Sequence, residues 1–229
     1  MEHWVYTVSI LGKSVSFNVD TLFTMWASML ILIVLALLTT RKLTMVPSKL
    51  QYVGEAIVKY FNDLAKSSMG NDNAQKHIAI VLTLFMFILT ANLVGQLPLK
   101  LIHLAKGEFA SPNNDINMTA AMAIVVSIYY IYYGVKKNGF KFFFKGFSID
   151  GIIITLVDTL ELFVRPFSLA LRLFANIFAG EVLVATVVSL TGIVCPIPFM
   201  LFEVFVALIQ ALVFTILSTT YISLAIQEE

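Results

Sequence analysis

Long apolar runs separated by short polar breaks set the pattern of this chain. Five of them reach the ~18–20 residues that a helix needs to cross the ~30 Å hydrocarbon layer of a bilayer. The first spans 21–40 (TLFTMWASMLILIVLALLTT), with Asp20 as its expected N-cap and Arg41 and Lys42 as its stop. The second spans 77–97 (HIAIVLTLFMFILTANLVGQL) and ends at Pro98. The third spans 116–135 (INMTAAMAIVVSIYYIYYGV), and its Tyr129, Tyr130, Tyr132 and Tyr133 suit an interfacial aromatic belt. The fourth, 151–194, is separated by the turn CPIP (195–198) from the fifth, 199–226. Between the first two runs, residues 47–66 place Leu50, Val53, Ile57, Phe61 and Leu64 at three- and four-residue steps. Lys49, Lys59, Asp63 and Lys66 fall elsewhere, which predicts an amphipathic helix at the interface or against the spans. Residues 69–73 (MGNDN) and 99–115, with its SPNND turn, read as loops, and 1–20 as a short mixed segment.

The predicted fold is therefore an all-α polytopic membrane protein, one domain over residues 1–229. It has five membrane helices, one amphipathic helix, and a long tilted hairpin made from the last two spans. Strand alternation is lacking along the runs, which argues against a membrane barrel.

Composition agrees: the 229 residues are 59% hydrophobic and 13% charged, and mean hydropathy is +0.89. Soluble domains carry about 25% charged residues. A net charge of +1 offers no nucleic-acid signature. The single Cys195 excludes an internal disulfide and a cysteine-rich metal site. His3, His77 and His103 lie outside the centres of the apolar runs, which weakens a haem or zinc reading. No Gly-rich phosphate loop appears, so neither nucleotide nor cofactor is expected. The N-terminus lacks a basic leader, apolar core and small-residue cleavage site, so no removable signal peptide is expected.

Charge asymmetry predicts orientation. Loop 41–76 carries Arg41, Lys42, Lys49, Lys59, Lys66 and Lys76 against Glu55, Asp63 and Asp72, and loop 136–146 carries four lysines and no acid. Loop 98–115 is balanced, and the turn near 191–198 is uncharged. The positive-inside rule then puts the N-terminus outside, the C-terminus inside and CPIP outside.

The candidate chemistry gathers in 151–194. A helix of that length is about 65 Å long, twice the hydrocarbon thickness. It either tilts steeply, breaks at Pro166, or crosses once and then follows the surface. Asp158, Glu161, Arg165, Ser168, Arg172 and Asn176 step along it by three and four, forming one polar stripe. An arginine at mid-membrane costs at least ~2.5–3.5 kcal/mol and stays charged, so Arg172 is expected to be there for function. It has no carboxylate at i±3 or i±4. Asp158, Glu161 and Arg165 fit either a self-satisfied ion cluster or an acidic path on the inner side. Asn92 and Gln96 share a face of the second span, as interhelical glue or as the lining of a water path.

If the hairpin reverses near residues 191–192, Arg172 comes level with Gln210 and Glu181 level with Glu203. Two facing carboxyls in a low dielectric do not both ionise, which would make Glu181 and Glu203 a proton-sharing pair. The chain thus offers acidic, hydratable groups on both sides of one permanent cation. A free cation is repelled there by about 4 kcal/mol at ~4 Å and an effective dielectric of ~20. A mobile carboxylate from another subunit can pass.

At these residues the chain resembles subunit a of the rotary F-type ATP synthase. RPFSLALRLFANIFAGE (165–181) is similar to the family signature and IQALVFTILSTTYIS (209–223) to its last helix; NLVGQLP (92–98) is a weaker element. The resemblance implies a stator subunit of a membrane complex, not catalytic alone, set against a c-ring with membrane carboxylates. It also implies peripheral-stalk b subunits and surrounding lipid as partners. Arg172 matches the essential arginine, and Glu181, Glu203, Asn176 and Gln210 are expected to line an outer half-channel. Asp158, Glu161 and Ser168 are expected on the inner one. The translocated ion is expected to be H⁺ rather than Na⁺, in a cell (inner) or organellar energy-coupling membrane. Glu203 stands where some members carry histidine. The rival readings are a secondary ion-coupled transporter, for which inverted repeats are lacking, and a passive assembly scaffold, which has no use for Arg172 beside Glu181 and Glu203.

Overall fold

A computed structural model of the chain describes residues 5–10, 13–41, 43–96, 111–142, 149–192 and 195–227. Two antiparallel strands, β1 (Val5–Ile10) and β2 (Lys13–Asn18), precede six helices. These are α1 (Val19–Thr40), α2 (Lys49–Met69), α3 (Asn71–Gln96), α4 (Ile116–Asn138), α5 (Ile149–Thr191) and α6 (Ile197–Ile226). All but α2 are long and apolar enough to cross a membrane.

The helices start and stop close to where the apolar pattern placed them, and the deviations have local causes. Residue 18, not Asp20, is the N-cap of α1; the Asn18 side chain leaves the helix end and donates to Asp115 at 2.6 Å, while Asp20 lies in the first turn. Residues 69–73 do not form a loop. Gly70 alone, at φ 78°, reverses the chain between α2 and α3, donating its N–H to Lys66 O at 3.0 Å. A single left-handed glycine suffices for that turn, so α3 begins six residues earlier than expected. Ser48 caps α2 and Asp115 caps α4, each accepting from a backbone N–H. The hairpin β1–β2 falls in the segment read as mixed. Pro98, the loop 99–110 and Lys145 lie outside the described residues.

The core lies where α3, α4 and α6 meet, closed by α2 on one flank and α5 on the other. Phe61, Val81, Ile88, Val126, Leu169, Leu173, Phe214 and Ile222 are all at most 1% exposed. The α6 side of this core is built with small hydroxylated residues. Thr215, Ser218 and Thr219 are buried, and each returns its hydroxyl to the carbonyl four residues earlier at 2.8 Å. Self-satisfied hydroxyls let helices approach closely without stranding a polar group. The tyrosines of α4 do not form a single belt, because consecutive helix positions face different ways. Tyr130 is 1% exposed in the core. Tyr129 and Tyr133 pack on the buried His77, whose Nδ1 is 2.9 Å from the Tyr129 hydroxyl. Tyr132 remains exposed.

α5 runs 43 residues without ending at Pro166. Of the three alternatives for this stretch, a break at Pro166 is not the one observed, and 43 continuous helical residues span about 65 Å. Leu169, Leu173, Ile177 and Glu181, at four-residue steps, are buried and form its ridge against the bundle. Gly192, at φ 78°, ends it, and Pro196–Pro198 start α6.

Of two helical glycines, only one marks a close approach of backbone. A Cβ on Gly95 would fall 2.8 Å from the Ser111 Cα, whereas one on Gly54 would meet nothing nearer than 3.7 Å. Gly95→Ala should therefore lower stability by about 1–3 kcal/mol through overpacking. Gly54→Ala should leave it unchanged or raise it by up to about 1 kcal/mol. Heat-induced loss of monodisperse protein in detergent measures both, and equal midpoints for the two variants would contradict the close approach.

Candidate functional site

The polar residues of α5 divide between two ends of the bundle, with Arg172 between them. At the end holding the α5–α6 turn, the 3₁₀ turn Pro112–Asn114 ahead of α4 reaches across to α5. Glu181, 6% exposed, accepts from the Ser111 backbone N–H at 3.2 Å and from Asn114 Nδ2 at 2.9 Å. The neighbouring Asn113 donates to Asn92 Oδ1 at 2.6 Å, and Asn92 donates to the Ala207 carbonyl on α6 at 3.3 Å. Asn92 and Asn113 are both fully buried. One polar network therefore ties α3, the 3₁₀ turn, α5 and α6 together around the Glu181 carboxylate.

Glu203 approaches α5 from α6 at this level. A Cβ on Gly180 would fall 2.7 Å from Glu203 Oε1, so the missing side chain gives that carboxyl its place. The hairpin register expected from a reversal near 191–192 is thus observed: Glu203 sits level with Gly180 and Glu181. Glu181 has turned its own oxygens toward Ser111 and Asn114.

Counting on from that level, eight residues back along α5 and seven forward along α6 bring Arg172 and Gln210 to similar depth. Their environments differ sharply. Gln210 is 6% exposed, and its Nε2 has no partner among the described residues. Arg172 is exposed and makes no hydrogen bond or ion pair with another described residue. Leu173 beside it is fully buried, so the guanidinium lies on the flank of α5 turned away from the core formed by the described residues. Asn176 and Ser168, one turn to either side, are partly exposed.

Toward the opposite end, Arg165 pairs with Glu161 one turn away. Its guanidinium carbon lies 5.0 Å from the centre of the Tyr221 ring on α6. Of the self-satisfied cluster considered for Asp158, Glu161 and Arg165, the ion pair between Glu161 and Arg165 is present. Asp158 is half-buried one turn further on and is also engaged. Among the described residues no three His, Cys, Asp or Glu side chains converge as metal ligands.

The sequence reading missed Ser111, Asn113 and Asn114. Their signal was the run SPNND, where turn-forming residues also supply four side chains able to hydrogen-bond, but nothing in linear spacing links residue 114 to residue 181. Asn92 was singled out, and the structure gives it the interhelical bond to Ala207 together with a place in the Glu181 network.

The geometry is accompanied by clear kinship. The ATP synthase A chain family matches residues 22–223. The ATP synthase subunit a of Gloeobacter violaceus is 41% identical over 209 residues, covering 91% of this chain and 84% of that one. A match of this extent includes both ends of the polar site and the arginine between them, and the chain is accordingly a multi-pass membrane protein of the ATP synthase A chain family.

Proposed function

We propose that this chain is the ion-translocating stator subunit of an F-type ATP synthase, passing H⁺ to and from carboxylates of a rotating c-ring. The observation that carries the reading is Arg172: a permanent charge at mid-helix, exposed, with no partner among the described residues. Facing lipid it would cost at least ~2.5–3.5 kcal/mol. A carboxylate arriving on a neighbouring subunit removes that cost, and the guanidinium in turn favours the charged form of the carboxylate, so its proton leaves.

Two separate paths then serve the arginine. The outer one runs by Glu203, Glu181 and Asn176 toward Gln210. Ser111 Oγ, Asn113 Oδ1, Asn114 Oδ1 and Gln210 Nε2 are buried polar atoms without protein partners among the described residues. Groups of this kind are met by ordered water in proteins, which supports a hydrated route. The inner path we assign to Asp158 and Ser168, with Glu161 committed to Arg165. Arg172 stands between the paths. A proton or metal cation moving straight across is repelled by about 4 kcal/mol at ~4 Å and an effective dielectric of ~20, a factor near a thousand. The positive-inside count supports an orientation with the N-terminus outside and the α5–α6 turn facing out. Peripheral-stalk b subunits and lipid complete the expected surroundings, in a cell or organellar energy-coupling membrane.

Replacing Arg172 by alanine in the whole complex, reconstituted in vesicles, should abolish proton-driven ATP synthesis, a loss of about a hundredfold or more, while the complex still assembles. Retained synthesis would remove the assigned role. For the outer path, Glu181→Gln should slow proton flux at least about tenfold, since a positioned proton-transfer group contributes about a hundredfold or more to its step. Wild-type flux in that variant would take Glu181 off the route. Asn113→Leu strands the Asn92 acceptor and should cost about 1–3 kcal/mol of stability, read as a lower thermal midpoint in detergent; an unchanged midpoint would contradict the network.

A further inference from the structure

Two arginines stand seven residues apart on α5, about 10 Å along the axis and on nearly the same side of the helix. They are treated in opposite ways. Arg172 has no hydrogen bond or ion pair to another described residue. Arg165 is held twice, by the Glu161 carboxylate one turn away and by the Tyr221 ring 5.0 Å from its guanidinium carbon. The ring is itself backed by Tyr130, centre to centre 6.3 Å, which is 1% exposed and cannot yield. The Arg165 side chain is 21% exposed and that of Glu161 45%, so this pair, like Arg172, lies within reach of whatever passes along α5.

We propose that Glu161 and Tyr221 sequester Arg165, so that an anionic group moving along the exposed flank of α5 meets one available guanidinium and not two. The inference rests on the stator reading above and assigns Glu161 a part outside the ion path: its carboxylate cancels a charge. The reasoning is electrostatic. Arginine cannot shed its proton, so a second exposed guanidinium can be silenced only by a counter-charge or by an aromatic face. This chain supplies both at Arg165. Left unbalanced, Arg165 would hold a passing carboxylate in its charged form one or two turns beyond Arg172. Protonation from the inner side would then be delayed, and the ring would stall between two cations. A purely structural clasp would stabilise α5 against α6 but would have no reason to involve the net charge of the pair.

That distinction is the test. ATP-driven proton pumping is measured with the intact complex in vesicles, after checking that the ring co-purifies. Glu161→Gln leaves Arg165 charged and should slow pumping by about tenfold, the middle of the range for coupling between contacting charged residues. The double variant Glu161→Gln/Arg165→Gln removes both charges and should return to within about twofold of wild type. Tyr221→Phe keeps the ring and should pump normally. Wild-type pumping by Glu161→Gln, or a double variant no faster than the single, would overturn the proposal. If Glu161→Gln does not assemble, Arg165→Gln alone decides: more than half of wild-type pumping supports sequestration and less overturns it. Arg172→Ala in the same vesicles separates the two levels. Pumping retained there removes the parent reading; pumping lost there with no effect of Glu161→Gln removes this inference alone.

Discussion

A charge that cannot be neutralised by protonation has to be met by another charge or by water, and the fold depends on how each of its arginines and acids obeys that rule. Within the bundle several charged groups are met by a specific partner. Glu181 is gripped by the 3₁₀ turn, Asp115 by Asn18, and Arg165 by Glu161 and a tyrosine ring. Arg172 breaks the pattern, since no described residue answers it. In a chain so sparing with charge, an unanswered guanidinium on a membrane helix is a demand placed on something outside the chain. The family assignment supplies a complex for it to belong to, and the stator reading proposed above would set this flank of α5 against the partner.

The fold makes this exposure possible by fixing α5 along one narrow ridge. Leu169, Leu173, Ile177 and Glu181 hold it to the bundle, and the helix continues through Pro166, so the rotational setting at Leu173 also sets where Arg172 points. The two close approaches do complementary work. Gly95 lets the 3₁₀ turn sit against α3, which brings Ser111 and Asn114 to Glu181; Gly180 lets Glu203 lie against α5. A side chain at either position would separate elements whose polar groups meet only at contact distance. Small residues in membrane helices commonly serve helix packing; here the same device also sets the spacing of two carboxyls.

Much of the architecture was legible in the sequence because membrane helices are read from long runs, and long runs are hard to mistake. The hairpin register was legible too. A reversal near 191 was inferred from the matched spacing of Arg172 with Gln210 and of Glu181 with Glu203, and Gly180 against Glu203 places it there. What failed was local or non-local in a definite way. The Gly70 turn compresses a predicted five-residue loop into one residue, a matter of backbone conformation that composition does not reveal. The tyrosines of α4 were read as a belt from their number, whereas helical rotation sends Tyr130 inward and Tyr132 outward. The hold of Asn114 on Glu181 depends on tertiary contact across 67 residues and leaves no periodic trace.

The packing at mid-depth bears on the stator reading proposed above. At the level shared by Arg172 and Gln210 the interior of the bundle is filled by Leu173, Ala211 and, one turn on, Phe214, all with no measurable exposure. The polar network around Glu181 and Asn92 stops on one side of that layer, and the Arg165–Glu161 pair begins on the other. Among the described residues, then, large apolar side chains occupy most of the interior between the two polar regions, with the Gln210 amide and the Thr215 hydroxyl as buried polar members of that layer. On the stator reading proposed above, a carboxylate carrier would travel between these regions over the outer flank of α5, past Arg172. In that reading the packed layer would hinder passage through the bundle, and the exposed cation would favour anionic carriers on the route around it.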